Sequence, residues 1–231
     1  MTIKVHYEKR KEDVEEFFRF LCFLLSFETH HGRSIQNVET GDILIITQEM
    51  QCVAKAQSLI LLYNLVESTV CDCLNEIYDA IRDDNLNYGN VSNDIKKMWR
   101  NYLNRKDLPE KLKSDNEIIN MPINFESLAI NISGSLDFRK IQDVFSKHGC
   151  LLDNSSRETI ANSFLVVKNK RNLLAHGNIS FSDCGAYYIL SELLSYKEHI
   201  VDYMQDVVKK TYDYINNRTY KLSVEKINNE K

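Results

Sequence analysis

The clearest pattern in the chain is a run of apolar positions at Leu59, Tyr63, Val66, Val70, Cys73, Ile77 and Ala80, stepping by four and three residues. Such steps keep side chains on one side of a 3.6-residue helix. The run therefore predicts a long helix packed on other helices and starting near Thr47. No glutamate stands three residues after Thr47 to complete a capping box, so the first turn is left open. Glu8 to Phe27 predicts an amphipathic helix, with Val14, Phe17, Phe18, Leu21, Leu24 and Leu25 as its apolar stripe. His30 to Gly41 is polar, carries Gly32 and Gly41, and reads as a loop. Ile43 to Ile46 reads either as a short strand or as the lead-in to the long helix.

Beyond that helix, Asp83 to Ser92 predicts turns and Asn93 to Asn104 a short helix. Lys106 to Gly134 holds both prolines and reads as an irregular insertion between helices. Asp137 to His148 predicts a helix capped by Ser135 or Asp137 and closed by Gly149. Asp153 to Ala175 predicts another, with Ile160, Phe164, Val167 and Leu174 inward. Cys184 to Asn216 predicts a long final helix, and the polar tail from Asn217 is expected to fray. The fold class is all-α, in one domain over residues 1–216 followed by a tail at 217–231.

Composition agrees. Two prolines and seven glycines in 231 residues suit helices with short connections. The six cysteines form no C-x-x-C pair, and Met1 to Lys11 lacks the apolar core of a targeting segment. The expectation is a reduced, cytoplasmic protein with inert thiols, with Cys71 and Cys73 serving packing. The longest apolar run, Phe20 to Phe27, is too short to span a bilayer, so no membrane partner is expected. A net charge of −4 argues against a protein that coats nucleic acid nonspecifically, though not against a local basic groove. One such stretch runs from Lys96 to Lys113, with seven basic and two acidic residues and with Trp99 and Tyr102 inside it. It is either a solvated face or an RNA path lined by Lys96, Lys97, Arg100 and Lys113.

No phosphate-binding glycine loop, dinucleotide fingerprint, nucleophile elbow or zinc-ligand spacing is present. His30-His31 has only Cys22 near it and reads as a loop pair, so no metal or other cofactor is expected. The segment that draws the eye is Lys170-Arg171-Asn172-Leu173-Leu174-Ala175-His176-Gly177. An arginine can grip a phosphate, and a histidine can move a proton near neutral pH. With ten arginines and six histidines, about one such pairing is expected by chance, so spacing alone carries little. Context carries more, because Gly177 is a natural helix C-cap and the pair ends a helix. Five residues turn a helix by about 500°, which leaves Arg171 and His176 about 140° and roughly 7.5 Å apart. A frayed last turn, or a second copy facing the first across a two-fold axis, would close that gap. The plain alternative is a solvated pair at a helix end.

Arg171-Asn172-x-x-Ala175-His176-Gly177 resembles the R-(polar)-x3-H signature of the HEPN superfamily. Two further blocks support the likeness. Leu62-Tyr63-Asn64-Leu65-Val66-Glu67-Ser68-Thr69 resembles the first bundle helix of standalone HEPN proteins of bacterial conflict systems. Ser133 to Asp137 with Lys147-His148-Gly149 resembles the segment that precedes their motif helix. The likeness covers about residues 45–215, a HEPN core of 45–216, and leaves 1–44 as an extra N-terminal helix and loop. It implies an all-α bundle, homodimeric through its motif helices, and a metal-independent endoribonuclease acting as a toxin or antiphage effector. Arg171, His176 and Asn172 would be the catalytic residues, and Lys168 and Lys170 would join the basic stretch in binding RNA. An antitoxin or other protein encoded nearby is the further partner it leaves open. The competing reading is a catalytically inactive HEPN module that binds a nucleotide or a partner protein.

Overall fold

The computed structural model describes residues 2–25, 33–104, 118–125, 136–153 and 158–222. Among them are seven α-helices: α1 (Thr2–Leu25), α2 (Gln48–Asp83), α3 (Asn93–Asn104), α4 (Phe138–Lys147), α5 (Glu158–Ala175), α6 (Phe181–Ala186) and α7 (Leu190–Asn216). The only sheet among the described residues is a hairpin of β1 (Arg33–Gln36) and β2 (Ile43–Ile46). The protein is all-α. No helix among the described residues is long and apolar enough to cross a membrane.

The chain divides into two compact units. One comprises Thr2–Glu67 and Arg157–Tyr203, the other Ser68–Ser156 and Met204–Lys231. In the first, α1 begins six residues before its predicted start because Ile3 and Tyr7 extend the buried stripe of Val14, Phe18, Leu21 and Leu24. The Tyr7 hydroxyl donates to the Val201 carbonyl at 2.8 Å. The segment read as a loop contains β1, paired antiparallel with β2 so that Ile35 faces Leu44. Its turn is closed by the Asn37 side chain, which accepts from the backbone of Glu39 and Thr40. Gly41 follows at φ +76°. The four residues of β1 include one large apolar side chain, so no alternation announced the strand. The long helix α2 starts where expected, and the Thr47 hydroxyl accepts from Met50 N without a capping-box partner.

The predicted final helix is broken. Residues 181–186 form α6, whose first turn is capped by Ser180 through Asp183 N. A new start follows at Leu190, where Glu192 reaches back to the Ile189 N–H. Gly185 lies against α2, and a Cβ there would fall inside the backbone of Cys52.

In the second unit, the buried Val70, Cys73, Leu74, Ile77 and Tyr78 continue the α2 stripe. Asp137 is the N-cap of α4, accepting from Lys140 N. Gly149, at φ +74°, and Cys150 close that helix by bonding Ser146 and Phe145 carbonyls, a Schellman end. Of the predicted insertion, residues 118–125 are described. They bury Ile118, Ile123 and Phe125 and bond residues 86–89 through the backbone. The tail does not fray at its start. Tyr220 is 2 % exposed, and its hydroxyl donates to Asp84. That bond, with Lys221 and Arg218 beside it, holds the Asp84 carboxyl below its usual range. Burial pushes the Cys150 thiol up to about 12, and raises that of Cys73 further.

Candidate active site on the last turns of α5

Helix α5 buries Ser163, Phe164, Val167 and Leu174, which fixes which side faces the core of its unit. Ile160, expected inward with them, is half-buried; the helix is described from Glu158, and Asp153 lies outside it. Arg171 flanks that buried side. Its guanidinium carbon lies 4.7 Å from the ring centroid of Tyr63, a cation–π arrangement. One guanidinium nitrogen donates to Asn172 Oδ1 at 3.2 Å, and another stands 3.5 Å from Glu67 Oε2. The Arg171 and Glu67 side chains are 24 % and 22 % exposed, partly shielded yet open to a ligand.

His176 occupies the other side. The helix does not fray before it: His176 N bonds Asn172 O at 3.1 Å. The reversal comes one residue later. Gly177, at φ +69°, bonds Leu174 O, and Asn178 bonds Leu173 O. That is a second Schellman end, with His176 as the C-cap residue. His176 is exposed, and it shares an arc of about 80° with Leu165, Asn169 and Leu173. Leu165 and Leu173 are themselves 43 % and 37 % exposed. Asn172 borders this arc and is half-buried.

The basic residues fall in different places. Lys168 and Lys170 are half-buried on α5, and Lys170 Nζ lies 5.4 Å from the Tyr187 ring centroid. Lys96, Lys97 and Arg100 belong to α3, in the other compact unit. Arg100 Nε donates to the Tyr88 hydroxyl, Lys96 Nζ lies 5.7 Å from the Tyr88 ring centroid, and Lys97 is exposed. Trp99 is buried, so it is core and no stacking surface. Lys113 and the His30-His31 pair lie outside the described residues. Among those described, no group of three His, Cys, Asp or Glu side chains could hold a metal ion.

Tyr63 and Glu67 were legible in sequence as part of the α2 helix and of its Leu62–Thr69 block, with no site role attached. They lie one turn apart, and it is the fold that brings them to Arg171, 104 residues further on. His148 takes no part in such chemistry. Its Nδ1 donates to the Val144 carbonyl at 2.7 Å, so its Nε2 accepts from the Tyr78 hydroxyl at 2.8 Å. Burial pushes its pKa down to about 4 and keeps the ring neutral.

An all-α protein with an arginine and a histidine five residues apart at the end of a core helix defines a recognisable class. The family model described as HEPN_MAE_28990-like HEPN matches residues 4–220, and the chain belongs to the HEPN superfamily. The match reaches back through α1. No curated protein and no solved structure matches the chain. Membership points to a nuclease-like or RNA-related role.

Proposed function

We propose that the protein is a metal-independent endoribonuclease that works as a homodimer and acts as a toxin or antiphage effector. The observation that carries this reading is the pre-set guanidinium of Arg171, stacked on Tyr63 and half-open, on the helix that ends in the exposed His176. The 2′-hydroxyl would attack the adjacent phosphate. Arg171 would hold that phosphate and stabilise the charge that develops on it. His176 would move a proton, and Asn172 would orient a phosphate oxygen or the imidazole. Exposed leucines beside His176 support a second copy docking on this side of α5.

The alternative, an inactive module that binds a nucleotide or protein, draws support from the Glu67 contact, since Arg171 already has a counter-charge. Product analysis separates the two. Purified protein should leave 2′,3′-cyclic phosphate ends on RNA, undiminished by EDTA and absent in His176→Ala. Equal cleavage by the His176→Ala protein would refute the nuclease reading. Loss on chelation with recovery on adding Mg²⁺ would refute the metal-free mechanism.

A further inference from the structure

We infer that Glu67 is the general base of the cleavage and His176 its general acid; the assignment rests on the ribonuclease reading. In-line displacement at phosphorus puts the attacking and departing oxygens on opposite sides. One imidazole cannot serve both ends at once, so a second proton-transfer group is needed. The carboxylate of Glu67 stands 3.5 Å from the guanidinium that would grip the phosphate. It is rigidly placed, because α2 buries Leu65 and Val66 immediately before it and Thr69 and Val70 just after. It is also partly exposed, at 22 %, so a ribose can reach it. His176 lies on the other side of α5, apart from Glu67, as the two ends of an in-line displacement require.

The balance closes. The O2′–H bond breaks and its proton passes to Glu67 Oε as the O2′–P bond forms. The P–O5′ bond breaks, and O5′ takes a proton from the His176 imidazolium. A 2′,3′-cyclic phosphate and a 5′-hydroxyl leave. Water then returns both side chains to their starting states.

Glu67→Gln keeps the side-chain shape and an oxygen for Arg171 but removes a useful proton acceptor. Cleavage should fall by about 10²- to 10⁴-fold. Binding of a 2′-O-methyl RNA, which cannot be cut, should change by less than about threefold, and the melting temperature should hold. Glu67→Asp should recover part of the rate, since it keeps the base and shifts it by one methylene. The decisive substrate carries a 5′-bridging sulfur, a leaving group that needs no proton. It should rescue His176→Ala and leave Glu67→Gln slow. If the sulfur substrate rescues Glu67→Gln equally, or if Glu67→Gln cuts at the wild-type rate, the base assignment is overturned while the ribonuclease reading stands. If the wild-type protein leaves RNA intact, both fall.

Discussion

Arg171 and His176, five residues apart across the C-terminal end of α5, point to different surroundings about 140° apart around the helix axis. The arginine is held between Tyr63, Glu67 and Asn172, whereas the histidine is exposed at the C-cap. Their removal should therefore have equal effects on chemistry and unequal effects on stability.

Arg171→Ala and His176→Ala should each abolish RNA cleavage. Arg171→Ala loses the contacts with Tyr63 and Glu67, at a cost of about 1 kcal/mol, so the melting temperature should drop by roughly 2–4 °C. His176→Ala should stay within about 0.5 kcal/mol of the wild type. Thermal melts followed by circular dichroism read the difference. An equal drop in both variants would show that the imidazole is packed in solution.

Assembly is tested at the leucines. The protein should sediment as a dimer at micromolar concentration. Leu173→Glu, at a position already 37 % exposed, should yield a folded monomer with little activity. Mixing inactive Arg171→Ala with inactive His176→Ala chains should restore one working site if each site takes its arginine and histidine from different copies. A monomeric, fully active wild-type enzyme would refute the pairing.

The α3 basic face can be scored by salt. Lys97 is exposed and Arg100 is bonded to Tyr88, so Lys97→Gln is the cleaner probe. If Lys97 contacts RNA, the slope of log affinity against log salt should flatten by about 0.7 for a single strand. An unchanged slope assigns α3 to a solvated face.

His148 predicts an acid limb in stability. Its folded pKa is pushed down to about 4, below the ordinary value of 6.5. Between these values the unfolded chain binds the extra proton, so stability rises with pH across that window. Acidifying from pH 7 to 4 should cost about 3 kcal/mol through this group. His148→Gln should remove most of that pH dependence in urea melts, and an unaltered profile would show that other groups cause it.

Periodicity made α2, α3 and α4 legible, because each buries a stripe at helical spacing, and α4 also has a recognisable cap and closing glycine. The break between α6 and α7 was hidden, since Tyr187 and Ile189 are exposed apolar residues that read like helix interior. Tyr7 and Tyr220 were hidden for a related reason: their burial depends on the partners Val201 and Asp84, far away in sequence. The same limit applied to the site. Arg171, Asn172 and His176 are neighbours in sequence and could be read together. Tyr63 and Glu67 lie on another helix, and only tertiary packing brings them to the arginine.

Gly185 carries a lesson for experiments that look for function by saturating every position. Any side chain there would collide with the carbonyl of Cys52 and force α6 away from α2. A survival screen would rank position 185 beside Arg171, although the glycine offers no reactive group. The two would part only when protein abundance is measured alongside activity. Variants at 185 should vanish from the cell, whereas variants at 171 should persist as a folded, silent pool.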